Sequence, residues 1–197
     1  MNLLLKLHFG GNISDYRNKV KQIAGVGLVN VVTGSEIINS TVDNENVRIV
    51  IINSNLDVAN NELVSEVQEI IDPMLDGSGI GIAPIGHRVK IMTATKQILN
   101  VKTTLTLTNE TTVDNIKNTI LEEIKNYYKD LIKNEWESGK WTVRISQIEN
   151  RILNIEGVLD IFDTILTLDN DLEHTGNYDD YSYRIPVINE VTIDVSN

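Results

Sequence analysis

Two stretches of this sequence hold residue types whose spacing could do chemistry. The first runs from Leu75 to Lys90, where Gly77, Gly79, Gly81, Pro84 and Gly86 fall within ten positions. Glycine-rich loops can cradle phosphates with their backbone amides. A dinucleotide loop, however, follows a strand, opens a helix and spaces its glycines G-x-G-x-x-G. Here the glycines follow an amphipathic segment ending in Asp72-Pro73, run G-x-G-x-G and lead into a strand-like run, and no Lys-Ser/Thr pair follows. The stretch reads as a structural turn, and no cofactor is expected.

The second stretch is acidic. Asp169, Asp171 and Glu173 stand at alternate positions and Asp180 closes a twelve-residue span, which is the outline of a calcium loop. Its glycine, Gly176, comes two positions late, no helical pattern flanks it, and Asp180 stands where glutamate belongs. These four are the candidate metal ligands, and the preferred reading is a solvated acidic loop with no metal. Beside them Tyr178, Tyr181 and Tyr183 alternate with polar residues. Tyrosines supply contact area at low entropic cost, so they are interface candidates. His8, His87 and His174 are far apart in sequence and form no ligand pair. There is no G-x-S-x-G elbow, no serine–histidine–aspartate context and no cysteine, so no catalytic residue is expected.

Composition narrows the classes further. The 197-residue chain carries 28 acidic and 17 basic residues, a net charge of −11. Nucleic-acid proteins carry a basic footprint that neutralises phosphates, and this chain would be repelled by DNA, RNA and anionic lipid. The absence of cysteine suits a reducing compartment. The opening MNLLLKLHFGG is too short to span a bilayer and lacks a cleavage site, so no signal peptide is expected, and it reads as the end of an element whose earlier part is missing. The triplets at Asn12, Asn39 and Asn109 fit N-glycosylation but mean nothing without secretion.

The elements that must position these stretches follow from hydrophobic period. Ile13, Tyr16, Val20 and Ile23 recur at helical spacing up to Gly25, and Leu28–Val32 reads as a strand. Val47–Ile52 is a β-branched run suited to a strand covered on both faces. Asn60 or Asn61 caps a helix whose stripe is Leu63, Val64, Val67, Ile70 and Ile71. Val89–Thr95 and Ile98–Leu107 read as strands, the second with Val101, Thr103, Leu105 and Leu107 on a buried face. Thr111 with Asp114 predicts a capping box for a long helix, residues 112–134, with Ile116, Ile120, Ile124, Tyr127 and Leu131 inward. Ser146 with Glu149 predicts another, for a short helix ending at Gly157. Val158–Leu168 looks extended, and Val187 to Val195 predicts a final half-exposed strand. Trp136 and Trp141 flank a break at Gly139 and are either interface aromatics or caps over their own core.

These elements give an α+β fold of two small αβ units with mixed or antiparallel sheets covered by helices. The first covers residues 1–95 with the turn at 77–86, and the second covers 96–197 with the long helix and an acidic loop at 169–184. Ser14 to Val26 and Ser146 to Val158 share one spacing from hydroxyl to Gly-Val. A diverged internal repeat and chance similarity both account for that.

Taken in order, the motifs resemble a known family. Gly11-Asn12, Asp15-Tyr16 and Gly25-Val26-Gly27 come first, then Glu62-Leu63-Val64, Val67-Gln68 and Ile71-Asp72-Pro73. Gly79-Ile80-Gly81-Ile82-Ala83-Pro84-Ile85-Gly86 with Val89 follows, then Val143 to Ile148, Ile155-Glu156-Gly157-Val158 and Ile185-Pro186-Val187 to Val191-Thr192. Together they are similar to the C-terminal part of baseplate J-like proteins, wedge components of contractile phage tails and tailocins. Ala24 departs where the family often has proline, and Asn189 where glycine is common. The family's N-terminal portion is absent.

The resemblance implies a non-enzymatic structural component of the inner wedge ring of a baseplate. Its partners would be other wedge and hub proteins and copies of itself around a six-fold ring, with no nucleic acid and no membrane. It would be made in the bacterial host cytoplasm and end in the particle's tail baseplate. The alternative is a calcium- or carbohydrate-dependent binding module using the acidic, tyrosine-rich loop. A hydrolase would need two carboxylates in one cleft.

Overall fold

A computed structural model describes residues 9–33, 45–168 and 172–196; His8, Asp169 and Asp171 lie outside them. The chain divides into two compact units, Met1–Ala94 and Thr95–Asn197. The fold is mixed α+β.

The first unit contains helix α1 (Ile13–Val20), strands β1 (Val26–Thr33) and β2 (Val47–Asn53), helix α2 (Asn61–Ile71) and strand β3 (Val89–Thr93). The sheet order is β1-β2-β3, with β2 antiparallel to β1 and parallel to β3. That central place explains the unbroken β-branched run of β2: Ile49, Ile51 and Ile52 are all fully buried. Both helices start on asparagine. Asn12 Oδ1 accepts from Asp15 N–H and Asn60 Oδ1 from Leu63 N–H, each at 2.9 Å, satisfying amides that a first helical turn leaves orphaned. Tyr16, Val20, Val67 and Ile71 from the helices close on Val29, Ile49, Ile51, Val89 and Ile91 of the sheet. Each such aliphatic stabilises the unit by about 1.5–3 kcal/mol relative to exposure.

The second unit begins with β4 (Lys96–Leu107) and the long helix α3 (Val113–Glu135). A 3-10 turn at Trp136–Ser138 follows, ended by Gly139 at φ 81°. Next come β5 (Trp141–Val143), α4 (Ile145–Leu153), β6 (Val158–Leu168), β7 (Glu173–His174), β8 (Tyr178–Asp180), β9 (Ile185–Val187) and β10 (Val191–Val195). The main sheet has the order β10-β4-β6-β7, with β9 also on β4, while β5 and β8 form a separate two-stranded ribbon. Along β4, Leu99, Val101, Thr103 and Leu105 are buried and their neighbours are half-buried, the alternation the sequence predicts.

Three expectations are corrected. Neither capping box forms. Thr111 Oγ1 pairs with Thr108 Oγ1 at 2.8 Å, and Thr112 takes the cap position of α3 without a side-chain bond. Ser146 falls inside α4, whose first amides are met from far along the chain: Asn177 Oδ1 accepts from Ile145 N–H and Tyr127 Oη from Arg144 N–H. The last strand is two strands, because Ile188 to Glu190 break the ladder between β9 and β10. As for the spacing shared by Ser14–Val26 and Ser146–Val158, each helix does end in the same turn. Gly25 and Gly157 are left-handed, Val26 N–H donates to Ile23 O and Val158 N–H to Ile155 O. The strands that follow enter sheets of different order.

Candidate functional site

In the first unit the glycine-rich turn is held from inside. Gly86 N–H donates to Gly77 O at 2.8 Å, and Ile82 and Ala83 donate to Ile70 and Ile71 O at the end of α2. A Cβ on Gly81 would lie 2.4 Å from Ile71 O, so the backbone passes where no side chain fits. Gly77, Gly79 and Gly86 take positive φ. Below the turn, buried Asp72 accepts from Leu75 and Val89 N–H, at 3.2 and 2.9 Å. Gln68 continues this along β3, donating to Val89 O at 2.8 Å and accepting from Ile91 N–H at 2.9 Å. One side-chain amide thus does the work of a neighbouring strand.

The turn also carries apolar surface that the periodicity gave no reason to expect outside. Ile85 is 84% exposed, Ile80 69% and Met74 61%. Ile82, two positions after Ile80, packs against the core instead, and nothing in the local spacing separates the two isoleucines. His87 at the turn's end meets the buried Tyr16, its Nδ1 2.8 Å from the phenol oxygen.

In the second unit the interface candidates separate. Trp136 and Trp141 are each 1% exposed, so neither offers a free face. Both donate an indole N–H to the carbonyl of Arg184, at 3.0 and 2.8 Å. The Arg184 guanidinium binds Asp180, with Nε at 2.8 Å, and its Nη2 also reaches the Tyr178 hydroxyl at 3.1 Å. Burial opposes the Arg184 charge, and the Asp180 carboxylate more than reverses this, so its pKa stands above the ordinary value. Tyr178 leans on Trp141 with ring centres 5.9 Å apart. Tyr183 is half-buried at φ 58°. Tyr181 alone of the three tyrosines is strongly exposed, at 62%, with Lys140 Nζ 4.9 Å from its ring centre.

Of the four ion-ligand candidates, Glu173 and Asp180 are described. Glu173 is exposed and pairs with Lys102 at 3.7 Å, while Asp180 spends both oxygens on Arg184 and on the Ser182 amide and hydroxyl. Among the described residues no group of three His, Asp or Glu could hold a metal ion, and no helix is long and apolar enough to cross a membrane. A cavity of about 570 Å³ between α3 and α4 is lined by Ile116, Thr119, Glu123, Arg151, Asn154 and Glu156 among others. Its arginine is held by Glu123 and Asp130, at 3.7 and 2.7 Å.

The two sheet-and-helix units define an α+β fold in which Asp72, Gln68, Asp180 and Arg184 hold the chain's own loops. Comparison with known proteins makes that specific. The model of the baseplate J-like central domain matches residues 8–93, and that of the baseplate J-like protein C-terminal domain matches 99–193. Between them they take in nearly the whole chain, in order, and the chain belongs to the baseplate J-like proteins. Among solved structures it is similar to a chain in the cryo-EM structure of the anti-feeding prophage (AFP) baseplate, 6-fold symmetrised. The TM-score is 0.60 at 7% identity, over 91% of this chain and 37% of that one. At that identity the likeness is one of fold. No curated protein matches the chain.

Proposed function

We propose that this protein is a non-catalytic structural component of a contractile-tail baseplate, in the inner wedge ring of a phage or phage-tail-like particle. The observation that carries the reading is the consecutive match to the family's central and C-terminal domains. The residues support it. Asp72 and Asp180 are buried polar groups, and Gln68 and Arg184 beside them are half-buried. Each is spent on backbone or on its neighbour. Surfaces left over for assembly are the Met74–Ile80–Ile85 knob and the Tyr181 edge, and exposed aliphatic patches of this kind mark contact sites.

Its partners are other wedge and hub proteins and further copies of the chain around a six-fold ring. It is built in the host cytoplasm and carried in the finished particle. The test is reconstitution. Mixed with the sheath, tube and wedge proteins encoded beside it, the chain should enter a defined complex seen by light scattering and microscopy. A chain that stays monomeric with those proteins at high concentration overturns the reading. So does turnover of a substrate class lost on one carboxylate substitution.

A further inference from the structure

The strand edges of the molecule are not treated alike. On β3, Gln68 and Asp72 satisfy Val89 and Ile91, so the edge beside α2 is closed by side chains. The first half of β6 is bulged twice against β4, between the partners of Lys102 and Thr104 and again near Leu107. It also carries exposed Asp160 and Asp163, the latter at φ 54°. Bulges and charges are the usual means of blunting an edge. Strand β9 presents Pro186, which has no N–H to offer.

Strand β10 has neither bulge nor proline, and Asp194 is its one charged residue. It runs parallel to β4 without a register shift, Val191 opposite Val101 through Val195 opposite Leu105. Glu190 O accepts from Val101 N–H and Ser196 N–H donates to Leu105 O. The two-residue period of a strand therefore turns the backbone of Thr192 and Asp194 toward β4, and that of Val191, Ile193 and Val195 outward. Both ends are pinned. Asn100 Oδ1 accepts from Asn189 and Glu190 N–H, each at 3.0 Å, and Thr106 Oγ1 meets Ser196 Oγ at 2.8 Å. A straight, fixed edge of alternating donors and acceptors is a template for one more strand.

We infer that β10 is a docking edge for an extended segment of a different, basic protein, which adds to the sheet beside Ile193 and Val195, past the buried Val191. The occupant's chemistry follows from charge. Glu190 and Asp194 are the charged side chains between Asn189 and Ser196, no lysine or arginine lies there, and the chain carries −11 overall. A second copy would bring the same acids and a second body of like charge. A strand with lysine or arginine at alternate positions would pair with them. This rests on the assembly reading above and names one of its contacts.

The test uses the whole chain, labelled with nitrogen-15, and a capped octapeptide alternating lysine with valine or threonine. Saturable shifts should appear at residues 189–196 and on β4. Exchange of the Ile193 and Val195 amides should slow about tenfold, that of Val191, Thr192 and Asp194 changing little. Val195→Pro removes an outward donor and no bond to β4, and should abolish the response with β4 and α3 unshifted. Should that variant fail to fold, an octapeptide N-methylated on alternate amides asks the same of the intact protein and should not bind. Absence of the shifts at millimolar peptide overturns the inference. So does equal binding by the peptide with glutamate for lysine, or the same shifts on concentrating the protein alone. A failed peptide with intact co-assembly removes only this edge, and a bound peptide without co-assembly removes the baseplate reading.

Discussion

Trp136 and Trp141 donate their indole N–H groups to one oxygen, the carbonyl of Arg184, at 3.0 and 2.8 Å. The same residue's guanidinium grips Asp180 and Tyr178, so a single position ties the helix end, the β5–β8 ribbon and the tyrosine segment together. The shared acceptor makes the two tryptophans interdependent. In Trp136→Phe or Trp141→Phe the carbonyl keeps one donor, and the loss should stay near the roughly 0.5–1.5 kcal/mol of one hydrogen bond. The double variant leaves that oxygen unpaired and adds about 1–3 kcal/mol. Urea denaturation of the four proteins should show a cycle that does not sum, and strict additivity would disprove the sharing.

Asp180 has a fully buried side chain whose charge is met by a partly exposed Arg184. Arg184→Met should therefore cost toward the low end of the roughly 3–5 kcal/mol seen when a buried pair loses one member. Adding Asp180→Asn should recover part of that. Melting curves that leave the double variant no better than the single one would mean that the pair does not answer to charge.

The glycine turn gives a graded series. Gly81→Ala places a methyl 2.4 Å from Ile71 O, against backbone, and should cost the most, about 1–3 kcal/mol or more. At Gly86 there is open space but φ is +87°, so alanine there should cost roughly 1–2 kcal/mol. Gly176 has neither obstacle and its alanine variant should be near neutral. Thermal unfolding in the order Gly81, Gly86, Gly176 is the expected result, and a reversed order would undo the close-approach account.

Gln68→Leu keeps the apolar stem and removes the partners of Val89 O and Ile91 N–H. Each orphaned group should cost about 1–3 kcal/mol, and the Ile91 amide should become one of the faster-exchanging amides of β3. Because the variant opens a strand edge, aggregation should rise with concentration. An unchanged Ile91 exchange rate would refute the edge-closing role.

Alkaline stability should follow the buried phenols. Burial raises the Tyr16 and Tyr128 pKa values well above the ordinary value, with the Asp72 charge adding to it at Tyr16, and burial also raises Tyr127. The folded state then holds protons that the unfolded state gives up. Stability is fully present below about pH 10 and falls as pH rises past it, by at most about 1.4 kcal/mol per pH unit for each phenol. Tyr128→Phe should flatten that limb for the second unit, at the loss of the bond to Leu99 O. A variant with the wild-type slope would exclude that phenol as its source.

Much of this architecture was legible before any coordinates, because period is a local property. The alternation of Val101, Thr103 and Leu105, the helical recurrence from Ile116 to Leu131 and the asparagine cap at 60 or 61 each report their own surroundings within a few residues. Tertiary structure decided what depended on distant partners. Ser146 lost its cap to Asn177, thirty-one positions on, and Trp136 and Trp141 became anchors because Arg184 returns to them. Asp180 could pass for an ion ligand only until Arg184 was folded against it. Which strand edge is closed by side chains was equally out of reach, since Gln68 and Asp72 reach β3 only once α2 lies beside it, and neighbours in space leave no mark in the spacing of a chain.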